Sequence, residues 1–537
     1  TLVEKNTEPT IDKFVQEDST GDWGKENSAS IGDTVNYKST ITVGKGALKY
    51  IVHDKMEKGL TFTNGSVNIT LVKKVDGTET PVAAASYEVK TTDFEDDCDF
   101  EIDFTDVFEA TLEEGDKLVI TYSAVLNEEA EIDVMYSRAG IYYGRIKKLY
   151  KLSKDRIKPN CPVSTACGGC TFQNTTYEYE LAYKKKKVQE AMKRIAKIDV
   201  EVEDVVGMED PHHYRNKIQV PFGMENKHVV YGFYKSNTHQ IIPIKTCDIE
   251  DELAGPILET IASLMESMKI MPYHEDSRRG LIRHVLIRTS KENRTVMVVL
   301  VTNSKTFPSR NNFVKALTKK HPEIVTVIQN INLRDTNVIL GEKEEVLFGK
   351  GYIEDSIMGV KFHVSSKSFF QVNPIQVEKL YSLAIQKANI SNKDTVLDAY
   401  AGVATIGILC AKHAKHVTSV ELVKEACINA RENAIRNNIE NITILNEDCT
   451  EYLINNTKHF DVVILDPPRK GSTPEFLNAL VKNKPERIIY ISCEPSTLAR
   501  DLVILKEDYD IISITPVDMF PRSFHVETVA CLRLKER

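Results

Sequence analysis

The sequence has no apolar run near 18 residues, so we expect no membrane-spanning helix. It shows no internal repeat and no low-complexity segment, and no signal-peptide pattern opens it. Only one of its ten cysteines, Cys98, lies before residue 134, so the first segment has no internal disulfide. The other nine do not form the dense framework of a small secreted scaffold, and we expect a reducing compartment.

Charge is divided unevenly along the 537 residues, whose net charge is −9. Residues 1–133 hold 12 Lys and Arg against 29 Asp and Glu, a balance of −17. Residues 134–537 hold 57 against 49, a balance of +8. Because a polyanion repels acidic surfaces, only the second part is suited to approach a nucleic acid. The asymmetry predicts two parts with different partners, and the length predicts three or four domains.

Hydrophobic periodicity predicts four regions. Residues 1–133 alternate in period two between Gly, Asp and Asn turns, which is typical of an all-β immunoglobulin-like sandwich. Residues 134–158 form a basic connector with one strand. Residues 159–370 mix strands with helices in an α+β domain, including the basic helix "YELAYKKKKVQEAMKRIAKI". From residue 371 strands and helices alternate regularly, which predicts a doubly wound, Rossmann-like α/β domain over 371–537.

The ends of the predicted parallel strands carry candidate ligand-binding residues, because open α/β sheets bind ligands there. The first strand ends in "LDAYAGVATIG", which places Asp398, Tyr400 and Gly402 at a turn that a cofactor can approach closely. The next strand ends in Glu421, placed for ribose hydroxyls, and the third presents Asp448 to an adenine amino group. A dinucleotide is less favoured, because the full G-x-G-x-x-G is absent. A glycine turn followed by an acid on each of the next two strands is the order found in S-adenosylmethionine-dependent methyltransferases.

Five motifs, in order, resemble those of the RNA uracil-5 methyltransferase family over about residues 140–537. They are "SFFQVNP", "DAYAGVATIG", "LDPPRKG", "YISCEPSTLARD" and "DMFPRSFHVETV". The resemblance implies a class I methyltransferase domain, S-adenosyl-L-methionine as cofactor and RNA as substrate. One departure is Ala404, which stands where many relatives have glycine. We expect it to narrow the turn without abolishing binding.

The resemblance also implies roles for single residues. In this family a thiolate attacks C6 of uracil, which makes C5 nucleophilic, and a base later removes the C5 proton. The matching residues are Cys493 as nucleophile and Glu527 as base, with Asp466 ordering the cleft between cofactor and base. Gln371 matches a contact to the methionine part of the cofactor, and Phe369 a residue that stacks near the target base. If the family resemblance is set aside, Cys493 is interpreted as a small buried hydrophobic residue, and Glu527 is interpreted as a surface carboxylate.

Four cysteines form a candidate metal site. "CPVSTACGGC" spaces Cys161, Cys167 and Cys170 as C-x5-C-x2-C, and Cys247 is the candidate fourth ligand. Four thiolates suit zinc or a [4Fe–4S] cluster, and spacing alone leaves both open. The Gly168-Gly169 pair and the family resemblance favour iron–sulfur, which within the family marks the ribosomal RNA branch. We therefore expect a cytoplasmic, monomeric enzyme that makes 5-methyluridine in 23S ribosomal RNA, with transfer RNA as the alternative substrate.

Flipping a uridine out of structured RNA requires cationic grips on the phosphates. Candidates for these contacts are Arg215, Lys217, Arg283, Arg288 and the run from Lys184 to Lys187.

The first segment resembles a different class of protein. Relatives usually open with a TRAM-type β-barrel, of which only the last strand, around Gly144–Tyr150, is retained. Instead, "PTIDKFV", "YIVHDKMEKGLTFTNG" and "VITYSAVLNEEAEI" resemble isopeptide-forming domains of Gram-positive pilins. The resemblance implies a bond between Lys13 and Asn127, assisted by Asp54. It leaves a surface structural protein as the alternative function, although the C-terminal "ACLRLKER" shows no anchor signal.

Overall fold

The computed structural model describes residues 10–16, 23–24, 34–44, 49–56, 60–91, 98–126, 129–138, 141–235, 238–335, 338–456 and 458–536. The chain divides into two compact units, Thr1–Arg156 and Ile157–Arg537. Within the described ranges, no helix has both the length and the apolar character needed to cross a membrane.

The described part of the first unit is built almost entirely of strands. Its elements are β1 (Thr10–Gln16), β2 (Trp23–Gly24), β3 (Thr34–Thr42), β4 (Ile51–Asp54), β5 (Leu60–Phe62), β6 (Asn68–Val72), β7 (Glu79–Pro81), a 3-10 turn (Ala84–Ser86), β8 (Tyr87–Lys90), β9 (Phe100–Phe104), α1 (Asp106–Glu109), β10 (Lys117–Leu126), β11 (Glu129–Arg138) and β12 (Ile141–Lys151). One sheet has the order β2-β1-β3-β10-β6-β7, with β5 also pairing β10, and a second has the order β4-β9-β8. Alternate residues of both sheets, such as Tyr37, Phe100 and Ile120, share one core. The prediction of an all-β N-terminal region is confirmed.

Strands β11 and β12 form a separate antiparallel pair. The predicted last strand of a barrel, Gly144–Tyr150, lies inside β12. The predicted boundary between residues 133 and 134 falls inside β11, and the compact unit continues to Arg156. The shift from acidic to basic composition occurs there, but backbone pairing from Glu129 opposite Lys151 to Arg138 opposite Ile141 runs across it. Composition therefore did not mark the end of the unit.

The second unit begins with a helical segment and a mixed sheet. Its elements are α2 (Ser164–Cys167), α3 (Tyr177–Ala191) with a π-helical turn (Met192–Ala196), β13 (Lys217–Glu225), β14 (His228–Tyr234), β15 (Ile241–Pro243), α4 (Ala254–Ser267), β16 (Ile282–Thr289), β17 (Val296–Thr302), α5 (Arg310–Lys320), β18 (Ile324–Ile331), β19 (Lys343–Phe348), β20 (Tyr352–Ile357) and β21 (Val360–Ser365). The central sheet has the order β15-β14-β13-β16-β17-β18-β19, and β20 pairs with β21. Apolar residues of α4 and α5, such as Ile257 and Phe313, pack on one face of this sheet.

The C-terminal part alternates strands and helices as predicted. Its elements are α6 (Pro374–Ala388), β22 (Thr395–Ala399), α7 (Thr405–Ala411), β23 (His416–Glu421), α8 (Lys424–Arg436), β24 (Ile442–Asn446), α9 (Cys449–Asn455), β25 (Val462–Leu465), α10 (Pro474–Asn483), β26 (Arg487–Ser492), α11 (Pro495–Leu505), β27 (Tyr509–Val517) and β28 (Glu527–Leu534). The sheet order is β24-β23-β22-β25-β26-β28-β27. The first five strands are parallel, and β28 is antiparallel to both its neighbours.

Helix α3 packs against the C-terminal sheet, although the predicted boundary at residue 370 grouped it with the central domain. Val188 of α3 and Met192 of the π-helical turn that follows belong to the core that contains the C-terminal strands. Lys184 is 0% exposed and donates to Glu180 Oε1 and Asp518 Oδ1, both at 2.6 Å. The prediction that Lys184 contacts RNA is therefore wrong, because its buried ammonium is committed to two carboxylates.

Candidate active site

Parallel strands β22 to β25 end at one edge of the C-terminal sheet and bring the predicted cofactor residues to that edge. The buried Asp398 of β22 accepts hydrogen bonds at Oδ2 from Gly407 N at 3.1 Å and Ser419 Oγ at 2.9 Å. A Cβ on Gly407 would lie 2.6 Å from the same oxygen, so only glycine allows helix α7 to approach this closely. Burial raises the pKa of Asp398 to about 7.

The turn after β22 is held in an unusual backbone conformation. Tyr400, Gly402 and Ala404 have φ of 61°, 56° and 57°, all in the left-handed region. Ala404 stands directly before helix α7 and is fully buried. An alanine pays about 1 kcal/mol for this conformation, whereas glycine adopts it freely. The consequence of having alanine instead of glycine at position 404 is therefore strain in the backbone of the turn.

Glu421 and Asp448 are both fixed at this edge by backbone amides. Glu421 Oε2 accepts from Gly402 N at 2.9 Å, and its Oε1 accepts from Val423 N at 2.7 Å. Asp448 caps helix α9, and its Oδ1 accepts from the amides of the first turn. Two carboxylates beside a glycine turn offer acceptors for the hydroxyl and amino groups of a nucleoside. The edge therefore fits the nucleoside part of S-adenosylmethionine.

Strand pairing brings the predicted nucleophile and base together. Cys493 follows the last residue of β26, and Glu527 is the first residue of β28. Because Ser492 pairs with Thr528 in the antiparallel register, Cys493 and Glu527 extend from adjacent ends of the two strands. Glu527 is 6% exposed, whereas Cys493 is only partly buried. Without the family resemblance, Glu527 was expected to be a surface carboxylate. That expectation is wrong, because the fold buries it.

The electrostatics of this cluster include Asp466, at the end of β25. Burial raises the pKa of Cys493 to about 11, and the charges of Glu527 and Asp466 contribute to that rise. Burial also raises the pKa of Glu527 to about 8, and Asp466 adds to it. The pKa of Asp466 is itself raised by burial to about 7. One thiol and two carboxyls therefore share a low-dielectric site in which each negative charge disfavours the next.

Two further residues, to which the sequence analysis assigned no role, lie near this cluster. The exposed Arg469 lowers the pKa of both Cys493 and Glu527, so its guanidinium lies near both. Burial raises the pKa of Tyr381 in α6, and the Asp466 charge contributes to the rise. Tyr381 also shares a side-chain hydrogen bond with Gln371, which places Gln371 beside the cleft. Arg469 stood within "LDPPRKG", but nothing in the sequence around Tyr381 indicated a role, because only the packing of α6 brings it there.

Comparison with known proteins decides the family. A family model described as tRNA (Uracil-5-)-methyltransferase matches residues 176–535. The chain belongs to this family. The tRNA (uracil-5-)-methyltransferase family is one of S-adenosylmethionine-dependent enzymes that methylate uracil in RNA, so the resemblance stated from the motifs is confirmed.

Curated relatives are similar over most of this family member. An uncharacterized RNA methyltransferase of Clostridium tetani is 40% identical over 76% of this chain and 90% of its own length. One of Oceanobacillus iheyensis is 41% identical, with the same coverage of both chains. A crystal structure of a Pyrococcus abyssi tRNA (uracil-54, C5)-methyltransferase with S-adenosyl-L-homocysteine is 28% identical and covers 75% of this chain and 93% of that one, with a TM-score of 0.62.

The four predicted cluster cysteines of this uracil-5-methyltransferase family member line one cavity of about 480 Å³. Gly168 there has φ of 67°, and a Cβ on Gly169 would lie 3.3 Å from Cys167 Sγ. Burial raises the pKa of Cys170, and that of Cys247 to about 12. Within the described ranges, no group of three His, Cys, Asp or Glu side chains has the arrangement of a metal site. The fold thus collects the four thiols around one space without bringing them to coordinating positions.

The predicted RNA contacts fall into two groups. Arg215 and Lys217 line the cysteine cavity, where burial lowers the pKa of Lys217 to about 8. Arg283 and Arg288 are 4% and 3% exposed, which contradicts a surface grip on phosphate. Their guanidinium groups are used internally, since Arg288 donates to the Ser368 carbonyl and Arg283 to two backbone carbonyls.

Phe369 lies in the loop that Arg288 holds. Its side chain is 76% exposed, whereas the next residue, Phe370, belongs to the core. A large aromatic ring on the surface beside the cleft offers a face for stacking. Phenylalanine is usually a core residue, and here Phe370 packs in the core whereas Phe369 does not.

The first unit brings two of the three predicted isopeptide residues together. Lys13 Nζ lies 2.6 Å from Asp54 Oδ1, and the buried Asp54 also accepts from the hydroxyl of Tyr122. Asn127, the predicted acceptor of the lysine, lies outside the described residues.

Proposed function

We propose that this protein methylates C5 of a uridine in RNA through a covalent adduct with Cys493. The observation that carries the proposal is the register of β26 and β28, which sets a thiol and a buried carboxyl side by side at the mouth of the sheet. Asp398, Gly402 and Glu421 hold the cofactor at the neighbouring strand ends, with Asp448 and Tyr400 completing the edge. Gln371, beside Tyr381, contacts the methionine part.

The thiol of Cys493 must lose its proton before it attacks, because its pKa of about 11 keeps it protonated in the free protein. Asp466 takes this proton, since its charge acts on the Cys493 thiol and its carboxylate therefore lies near it. The new Sγ–C6 bond moves the electrons of the C5–C6 double bond onto C5 and the neighbouring carbonyl. S-adenosylmethionine, when bound, supplies the methyl group that C5 takes.

Glu527 then removes the proton from C5, and the electrons of that bond restore the double bond and release Cys493 Sγ. A carboxyl with a pKa of about 8 is a stronger base than an ordinary glutamate once it is ionised. The positive charge of Arg469 favours the ionised form of both Cys493 and Glu527, so it supports attack and proton removal alike.

We propose 23S ribosomal RNA in the cytoplasm as the substrate. The support is the collection of Cys161, Cys167, Cys170 and Cys247 around one cavity, since four thiolates are the ligand type of a [4Fe–4S] cluster. Such a cluster would clamp the loops around Arg215 and take no part in the reaction. Arg215 and Lys217 would contact phosphates beside it, and the exposed Phe369 would stack near the flipped uridine.

For the N-terminal unit we propose an internal isopeptide bond between Lys13 and Asn127. The support is the contact of Lys13 with the buried Asp54, the acid that would pass the proton during condensation. Such a bond would stabilise the fold and would not act on a substrate. The proposed role of the N-terminal unit is therefore a mechanically stabilised β-domain joined to the methyltransferase, and not a second enzyme.

Methyl transfer from labelled S-adenosylmethionine to unmodified ribosomal RNA and to transfer RNA tests the substrate. We expect label at C5 of uridine in large-subunit ribosomal RNA. Label only in transfer RNA would replace the substrate proposal while keeping the chemistry. No label in either RNA, from protein shown to bind S-adenosylhomocysteine, would overturn the function.

A further inference from the structure

One face of the central sheet forms a polar path that the proposed reaction does not use. In the pairing of β13 with β16, Lys217 lies opposite Arg288, and Pro221 lies opposite His284. The intervening residues Ile218 and Val220 point to the other face, where the helices cover them. Because alternate residues share a face, Lys217, Gln219 and Pro221 lie on the side away from the helices.

This path begins beside the candidate active site. Arg288 donates to the carbonyl of Ser368, directly before the exposed Phe369. Asn216, directly before β13, donates through Nδ2 to the carbonyl of Gln371 at 3.1 Å. The strand β13 therefore starts at the loop that carries Phe369 and leads away from it.

At the other end of the path lies a second cavity, of about 440 Å³. Its lining includes Gln219, Phe233, Tyr234, Arg283 and His284. The rings of Tyr234 and His284 lie edge to face, with centroids 6.4 Å apart. Aromatic side chains with an amide and an imidazole suit a planar heterocycle that both stacks and forms hydrogen bonds.

His284 is the buried polar group that lacks a partner in this cavity. It is 8% exposed, and within the described ranges its Nδ1 has no hydrogen-bond partner. Burial lowers the pKa of His284 to about 4, so the ring is neutral at physiological pH and can both donate and accept. A buried imidazole nitrogen without a partner costs stability, which a ligand with a matching polar group would recover.

The charges around the cavity disfavour a phosphate. The guanidinium of Arg283 lies 3.2 Å from the carboxylate of Glu275, over the ring of Tyr273. Glu275 and Asp335 also line the cavity, and Asp335 is paired with the exposed Arg278, so each cation here already has a carboxylate partner. A neutral base is therefore better suited to this space than a phosphate group.

We propose that this cavity binds a second unpaired base of the RNA substrate, stacked on Tyr234 and hydrogen-bonded by His284 and Gln219. The proposal rests on the proposed function, and it adds that the enzyme recognises a nucleotide at a distance from the methylated uridine. Single-stranded bases in RNA loops are recognised in this way, by stacking together with hydrogen bonds to their edges.

An abasic scan tests the pocket in the full chain. Each nucleotide flanking the methylated uridine is replaced in turn by an abasic one, and KM and kcat for methyl transfer are measured. We expect one position where loss of the base raises KM about tenfold in the wild type, with a much smaller change in kcat. His284→Ala and Tyr234→Leu should each raise KM for intact RNA by a similar factor and should make the abasic change at that position nearly neutral.

His321→Ala is the matched control, because His321 is equally buried in the same sheet domain but is hydrogen-bonded to Thr260 and Glu323. It should keep the tenfold abasic effect. The inference is overturned if, at every position, removal of the base still raises KM in both His284→Ala and Tyr234→Leu as it does in the wild type. The methyltransferase function would then still stand. If the wild type methylates no RNA, the function and the inference fall together.

Discussion

Replacing Glu527 by glutamine should stabilise the protein, and the gain should grow as pH rises. Burial, together with the charge of Asp466, raises the pKa of Glu527 from 4.5 to about 8. The folded state therefore keeps a proton that the unfolded chain releases above pH 4.5. The stability that comes from this proton is fully present below pH 4.5 and is lost as pH rises through about 8.

The size of the effect follows from that pH range. At about 1.4 kcal/mol per pH unit, the wild type loses about 3 kcal/mol between pH 4.5 and pH 7. Because the half-buried Asp466 shares the site and raises the pKa of Glu527, this is an upper bound for Glu527 alone. Glutamine has nearly the same shape and no proton to lose, so the variant avoids the cost. The gap between variant and wild type should be small at pH 5 and at its largest near pH 8.

Calorimetric unfolding of the full chain at pH 5, 7 and 8 measures this gap, using the transition that S-adenosylhomocysteine shifts upward. Glu447→Gln is the control, because Glu447 is exposed and loses the same charge. It should change stability by less than about 0.5 kcal/mol at each pH. A gap for Glu527→Gln that does not widen with pH, or a variant less stable than the wild type at pH 8, would show that burial of the Glu527 carboxyl does not destabilise the ionised form.

Three other predictions follow from the two sites and the N-terminal unit. Cys493→Ala should abolish methyl transfer, whereas Glu527→Gln should accumulate a protein–RNA adduct that survives denaturing electrophoresis, because the C5 proton cannot leave. Anaerobically purified protein should be brown and contain iron and sulfide, and Cys170→Ser should lose both because one ligand is gone. Condensation of Lys13 with the amide of Asn127 releases ammonia, so the intact mass should lie about 17 Da below the sequence mass.

Each of these has a control and a contradicting result. Cys427→Ser, which alters a buried cysteine of α8 that does not line the cavity, should keep both methyl transfer and the iron. Methyl transfer by Cys493→Ala would exclude the covalent route. Colourless protein with stoichiometric zinc would show the cluster assignment wrong. Asp54→Ala should restore the full mass, and an unshifted wild-type mass would leave an ordinary β-domain.

Positive charge in the sequence was a poor guide to RNA contacts. Arg283, Arg288 and Lys184 were predicted as phosphate grips, yet all three are buried and bonded to carbonyls or carboxylates of the protein. Each has at least one partner far away along the chain, such as Asp518 for Lys184, so the local sequence alone does not show that these cations are buried. Whether a cation faces solvent depends on which elements pack over it, and that is a property of the folded chain.

The α/β order of the C-terminal domain and the all-β N-terminal region could be predicted from the sequence, and so could the meeting of Asp398 and Glu421 at one edge of the sheet. These follow from local periodicity and from acids placed where strands end, and both are written in consecutive residues. The sequence did not show that α3 packs with the C-terminal sheet or that Tyr381 and Arg469 approach Cys493 and Glu527. Nor did it show that, among the described residues, Nδ1 of His284 has no hydrogen-bond partner. These depend on contacts between segments distant in sequence, where burial and the choice of partner are set by packing.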